Sequence, residues 1–126
     1  MTVKPDGYNS VSPYLIVNGA QATIDFLVAV FNARQLRTIP REDGKLRHAE
    51  VRLDDTVLVL ADAIEGWPAV PACVHIYVDD ADATYTRALA AGATPVQEPV
   101  TQDDADKRGG FRDAGGTTWW ITEQVA

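Results

Sequence analysis

The sequence predicts an α+β fold of two tandem modules, each with the order strand, helix and three strands (βαβββ). This order of elements occurs twice along the 126 residues. Identical residues also recur at an offset of 61 positions, where Val17, Ala20, Ala22 and Thr23 match Val78, Ala81, Ala83 and Thr84. A bridge rich in proline and glycine, residues 65–71, separates the two copies.

The first module begins with an apolar run at residues 14–17, which predicts a strand. Asn18 is the predicted N-cap of a helix, whose apolar positions at helical spacing are Ile24, Leu27, Val28 and Phe31. A short strand is predicted at 36–40, and the Asp-Gly pair at 43–44 indicates a tight turn. Strands at 46–53 and 56–63 flank Asp54 and Asp55, which predicts a hairpin.

The second module repeats this order. Residues 74–78 predict a strand, and Asp79 and Asp80 begin a helix with Ala81, Tyr85, Ala88 and Leu89 on one face. Gly92 stands where a helix ends in a left-handed residue. Strands are predicted at 94–100, 110–113 and 117–122, with a polar loop at 101–107 between the first two.

Composition limits the classes of function. The chain is 46% apolar and 23% charged, with a net charge of −7 and a pI near 4.6, and it has no basic run. This balance disfavours nucleic acid and membrane surfaces as partners and favours a neutral or cationic ligand. The single cysteine, Cys73, excludes an intramolecular disulfide and a thiolate zinc cluster. Since no apolar segment reads as a secretory signal or a membrane span, we expect a cytoplasmic protein.

Short motifs in matching order and spacing resemble the vicinal oxygen chelate superfamily, which includes glyoxalase I, bleomycin-resistance proteins and extradiol dioxygenases. They most resemble its glyoxalase-like or 3-demethylubiquinone methyltransferase-like branch. The matching segments are 13–17 (PYLIV), 43–44 (DG), 48–50 (HAE), 60–62 (LAD), 75–80 (HIYVDD), 90–93 (AAGA) and 111–113 (FRD) with Gly116. The resemblance implies a single domain over residues 1–126, with modules at 8–64 and 73–126 and a linker at 65–72. It also implies a curved mixed sheet around a cavity, and a homodimer.

Enzymes of the superfamily hold one divalent metal with four side chains, two from each module. The resemblance places these ligands at Ser12, Val59, Cys73 and Trp120. A valine and an indole have no lone pair to give a metal, and serine is a poor ligand. We therefore expect no metal cofactor, which argues against glyoxalase or dioxygenase chemistry.

The resemblance also implies that the side chain of Val59 points toward the cavity. A two-residue turn at Asp54 and Asp55 pairs Glu50 with Val59, so His48, Glu50 and Arg52 share its face. The same parity in the second module adds Cys73, His75, Tyr77, Phe111, Asp113, Thr118 and Trp120, and Tyr14 joins from the first strand. The predicted ligand-binding residues are Tyr14, His48, Glu50, Arg52, His75, Tyr77, Phe111 and Trp120. The alternatives are a solvated sheet face for His48, Glu50 and Arg52, a hydrogen-bonded structural role for His75, and a core plug for Trp120.

Aromatic walls with a few polar groups are typical of a site for planar or cationic compounds. The leading hypothesis is a metal-independent binding protein that sequesters such a compound, for example an antibiotic. The alternative is a lyase, isomerase or dioxygenase-like enzyme. It would use Glu50 as general base beside His48 or Arg52, or a displaced metal site at His48, Glu50 and His75. A third hypothesis is a partner-binding domain with a filled interior. For Trp67 we expect loop packing, with a pocket lid or an interface anchor as alternatives.

Overall fold

The computed structural model describes residues 3–101, 103 and 106–124. Part of the predicted loop at 101–107, namely residues 102, 104 and 105, therefore lies outside the described residues. The chain divides into two compact units, Met1–Val70 and Pro71–Ala126. Each unit holds one βαβββ module, which confirms the predicted fold class.

The first unit is a four-stranded sheet with one helix. Its elements are β1 (Tyr14–Val17), α1 (Ala20–Phe31), β2 (Arg34–Pro40), β3 (Leu46–Leu53) and β4 (Thr56–Asp62). The strand order is β1-β4-β3-β2, with β1 parallel to β4 and the other pairs antiparallel. The predicted pairing of Glu50 with Val59 across the hairpin is confirmed.

The second unit repeats this topology. Its elements are β5 (Ala72–Tyr77), α2 (Ala81–Ala90), β6 (Thr94–Thr101), β7 (Lys107–Arg112) and β8 (Thr117–Glu123). The order is β5-β8-β7-β6, again with one parallel pair, β5 with β8. Neither helix among the described residues has the length and apolar character to cross a membrane.

The helix packs on one face of the first sheet because that face is apolar. Ala49, Val51 and Leu53 alternate along β3 and are buried. Helix α1 buries Ile24 and Leu27 as predicted, but its buried stripe continues through other positions: Ala20, Thr23, Phe26 and Val30. The prediction for Val28 is wrong, since it is 42% exposed.

An acidic residue at the end of each last strand holds the start of the helix. Asn18 is not the N-cap of α1: Gly19 takes that place with φ of +83°, and no side-chain cap comes from the helix itself. Instead, Asp62 Oδ1 accepts hydrogen bonds from the backbone N–H groups of Gly19 and Ala20, at 3.0 and 2.8 Å. In the second unit, Glu123 Oε1 accepts the N–H of Ala81 at 2.8 Å, and Asp80 is the N-cap of α2.

The internal repeat is visible in the strand register, with one break. Tyr14 pairs with Val59 and His75 with Trp120, so the 61-residue offset holds for the first and last strands. However, the residue opposite Trp120 on β7 is Gly110, not Phe111. The reason is the closing turn: residues 113–117 connect the Arg112–Thr118 pair, one residue more than the 53–56 connection between Arg52 and Val57.

Candidate functional site

The centre of β3 carries a buried carboxylate with three polar partners. Glu50 is 7% exposed, and its Oε1 accepts a hydrogen bond from the Tyr8 hydroxyl at 2.6 Å. Its Oε2 lies 2.7 Å from His48 Nε2 and 3.4 Å from an Arg37 guanidinium nitrogen. These groups satisfy both oxygens of the carboxylate.

The N-terminal segment, residues 7–9, covers this face of the first sheet. Arg52 Nη1 donates to the carbonyl of Gly7 at 2.9 Å, next to the bond from Tyr8 to Glu50. Asn9 Oδ1 accepts the backbone N–H of Val57 at 2.8 Å. The predicted row of His48, Glu50 and Arg52 therefore shares a face, but a segment of the same chain lies over it.

The partners of Glu50 also set its protonation. Burial acts to raise the pKa of Glu50, but the hydrogen bonds from Tyr8 and His48, together with the charge of Arg37, outweigh it and hold the pKa below its usual value. The same bond raises the pKa of Tyr8, with a smaller contribution from burial. A carboxylate that is held ionised and fully hydrogen-bonded is a weak general base. The contacts of Glu50 thus favour a structural role.

In the second unit, alternate side chains along β5 are exposed. His75 Nε2 hydrogen-bonds Thr122 Oγ1 at 2.9 Å, and its ring meets Tyr77 edge-on at 4.8 Å between centroids. Tyr77 is 68% exposed. Trp120 lies across Gly110, since a Cβ on that glycine would stand 2.7 Å from Trp120 Cε3.

The predicted orientation of Phe111 is wrong, because the longer turn shifts β7 by one residue. Phe111 pairs with Trp119, is fully buried, and stands 6.5 Å from the Tyr85 ring of α2, on the helix side of the sheet. Asp113 was also predicted to face the cavity, but it accepts a hydrogen bond from the indole N–H of Trp119 at 2.9 Å. Both residues belong to the core of the second unit.

The four positions that the family resemblance assigns to a metal do not fit one. Val59 offers only methyl groups, and Trp120 offers an indole that lies on Gly110. Ser12 Oγ accepts a hydrogen bond from Asn9 at 2.8 Å. Across the residues that the structure describes, no three His, Cys, Asp or Glu side chains come together as a metal-binding group.

A groove of about 460 Å³ lies in the first unit, at the end of the sheet where β3 begins and β4 ends. Two of its residues, Tyr14 and His48, are among the predicted binding residues. The others are Arg41, Arg47, Ala61, Asp62, Ile64, Glu65, Gly66 and Trp67, none of which was predicted to bind a ligand. We call this site the Arg41–Trp67 groove.

Aromatic side chains form part of the wall of the groove. Tyr14 is 56% exposed and Trp67 is 57% exposed. A short bridge between Ile64 and Trp67, with backbone hydrogen bonds of 3.0 and 2.9 Å, holds the loop that carries the indole. The expectation that Trp67 packs within its loop is therefore wrong, because its indole lines the groove; the alternatives of a pocket lid and an interface anchor stay predictions.

A break in strand pairing brings Arg47 to the same groove as His48. Ile39 pairs with His48 and Pro40 with Leu46, so Arg47 is the extra residue of a bulge. A bulge interrupts the alternation of side chains and re-aims the residue it contains. Strict alternation along β3 puts adjacent residues on opposite faces, which is why sequence parity missed Arg47.

The comparisons with known proteins agree with this architecture. A family model described as Glyoxalase/Bleomycin resistance protein/Dioxygenase superfamily matches residues 7–121. The uncharacterized protein Mb0911c of Mycobacterium bovis is 34% identical over 127 aligned positions, which span 92% of this chain and 84% of that protein.

Two solved structures share the fold. TioX from Micromonospora sp. ML1 is 24% identical, with a TM-score of 0.72, covering 92% of this chain and 100% of TioX. TnmS3 from Streptomyces sp. CB03234, an antibiotic binding protein, is 21% identical, with a TM-score of 0.71 and 99% coverage of each chain. At these identities the likeness establishes the fold alone.

Proposed function

The chain belongs to the Glyoxalase/Bleomycin resistance protein/Dioxygenase superfamily, and from this premise we propose that it is a metal-independent protein that binds and sequesters a planar small molecule, such as an antibiotic. The Arg41–Trp67 groove is the proposed site. TnmS3, an antibiotic binding protein with the same fold, supports the proposal.

The observation that carries the proposal is the groove itself. Its volume of about 460 Å³ falls within the range of small-molecule sites, and it holds two exposed aromatic rings, Tyr14 and Trp67. Exposed aromatic rings bind planar compounds by stacking, with about 1 kcal/mol per contact beyond the buried area. Polar groups at Arg41 and Arg47 would then fix the orientation of the ligand.

The contacts around Glu50 support binding over catalysis. As a general base, Glu50 would need a free oxygen and a pKa near the working pH. Both of its oxygens accept hydrogen bonds or an ion pair, and its pKa is lowered. The displaced metal site gains no support from the first unit either, where His48 Nε2 is already bonded to Glu50 Oε2 at 2.7 Å.

Isothermal titration calorimetry on protein dialysed against EDTA tests the proposal. The probes are neutral planar aromatic compounds, beginning with 2-naphthamide. We expect saturable one-to-one binding, weakened roughly three- to ten-fold by Trp67→Leu, which removes one stacking partner. Val28→Ala, on an exposed part of α1 outside the groove, should leave the affinity unchanged. The proposal fails if no planar compound binds, or if Trp67→Leu leaves the affinity unchanged.

A further inference from the structure

We propose that the Arg41–Trp67 groove selects a ligand that carries an anionic group, a carboxylate or a phosphate, on its planar ring system. This inference rests on the proposed function, since it names the class of compound that the same groove binds. It also reverses the expectation of a cationic guest, which came from the net charge of −7.

The guanidinium of Arg41 is the first reason. Arg41 follows β2 and lines the groove, and its Nε is buried without a hydrogen-bond acceptor among the described residues. A buried donor without a partner is unfavourable, because it has lost water and gained nothing in return. The guanidinium is thus short of acceptors on the protein side, and its planar shape and charge match a bound carboxylate or phosphate.

Arg47 supplies the second cation. The bulge brings it to the groove, and no described residue forms a hydrogen bond or ion pair with its exposed guanidinium. Two other arginines of this unit are engaged: Arg37 lies 3.4 Å from Glu50, and Arg52 donates to Gly7. Two guanidinium groups without an acceptor among the described residues therefore line one small groove.

Of the two carboxylates that line the groove, Asp62 offers little to a cation, and Glu65 alone opposes the charge of the two arginines. Both oxygens of Asp62 are occupied: Oδ1 accepts from Gly19 and Ala20, and Oδ2 accepts from the backbone of Leu46 at 2.7 Å. Glu65 is exposed at the 64–67 loop. The acidic residues outside the groove contribute less to the electrostatic potential within it, because exposed charges beyond about 10 Å are largely screened at ordinary salt.

Three probes of equal size and different charge test this inference by calorimetry at fixed ionic strength. They are 2-naphthoate, 2-naphthamide and 2-naphthamidine, which are anionic, neutral and cationic. We expect 2-naphthoate to bind roughly ten-fold tighter than 2-naphthamide, and 2-naphthamidine to bind weakest. A fourth probe, 2-naphthyl phosphate, decides whether the anionic group is a carboxylate or a phosphate, and a preference for either supports the inference.

Variants locate the effect. We expect the affinity for 2-naphthoate to fall toward that for 2-naphthamide in each of two variants, Arg47→Met and Arg41→Met. The control is Arg34→Met, since Arg34 is exposed and lies outside the groove, and it should leave the affinity for both compounds unchanged. Glu65→Gln should tighten 2-naphthoate, because it removes a like charge. If Arg41→Met does not fold, the exposed Arg47→Met still decides the question.

The outcomes separate this inference from the proposed function. If 2-naphthamide or 2-naphthamidine binds as tightly as 2-naphthoate, and Trp67→Leu weakens that binding, the inference is overturned while the proposed function stands. If none of the probes binds, both are overturned.

Discussion

The indole of Trp120 lies directly over the Cα of Gly110, and a Cβ added there would stand 2.7 and 2.8 Å from two of its ring carbons. Gly110 has no positive φ, so its conformation is open to any residue and the restriction is purely steric. The corresponding position in the first unit is Glu50, opposite Val59. One unit thus pairs a small residue with a large ring, and the other pairs a carboxylate with a small side chain.

Gly110→Ala should destabilise the protein by about 1–3 kcal/mol, because the new methyl group must displace the indole. In a Trp120→Leu background, the same change should have an effect of less than about 0.5 kcal/mol. Urea unfolding of the four proteins gives the coupling energy. An equal effect of Gly110→Ala in both backgrounds would show that the contact is not the cause.

Tyr8→Phe should destabilise the protein at neutral pH, because it removes a hydrogen bond to a buried carboxylate. Since the folded-state pKa of Glu50 is lowered, its contribution to stability is full above its ordinary pKa and is lost as the pH falls through the folded-state value. Without the Tyr8 donor the folded-state pKa of Glu50 rises toward its ordinary value, so the contribution is smaller and its loss is complete at a higher pH.

Urea unfolding between pH 7 and pH 3 checks this prediction, with the exposed Tyr77→Phe as the matched control. The difference between wild type and Tyr8→Phe should shrink as Glu50 becomes protonated. A difference that stays constant across the range would mean that the ionised form of Glu50 is not what Tyr8 stabilises.

Asp62→Ala should destabilise the protein by about 2–3 kcal/mol, because three backbone N–H groups lose their acceptor. Glu123→Ala, which removes the acceptor of a single N–H, should have an effect of about 1 kcal/mol. The control is Asp55→Ala in the exposed turn of the β3–β4 hairpin. If Asp62→Ala matched Asp55→Ala, the role assigned to this carboxylate would be refuted.

The sequence was sufficient to predict the order of elements and one hairpin register. The apolar alternation around Asp54 and Asp55 determines which face of β3 is buried, and the structure confirms the Glu50–Val59 pair. The alternation of side chains predicted the wrong face for Phe111, because one extra residue in the turn puts each side chain of β7 on the opposite face relative to β8. Nothing in the composition of the turn at 113–117 indicates its length as directly as the pair Asp54 and Asp55 does.

The groove could be predicted only in part. Tyr14 and His48 follow from strand periodicity, but Arg47 reaches the groove through a bulge, and Arg41 and Trp67 lie outside the strands. Periodicity describes side chains along a regular strand and has no information about loops that come together in space. Likewise, the net charge averages over the chain and conceals two arginines that share one small site.

A titration with 2-naphthoate, followed by the indole N–H signals of Trp67, Trp119 and Trp120 in ¹H–¹⁵N spectra, shows whether the ligand binds in the Arg41–Trp67 groove. We expect a saturable shift of the Trp67 signal, which is identified by its absence in Trp67→Phe, and a constant signal for Trp119, which is buried and bonded to Asp113. Saturable binding that shifts Trp120 and leaves Trp67 unchanged would contradict this expectation, as would a spectrum in which no indole signal moves.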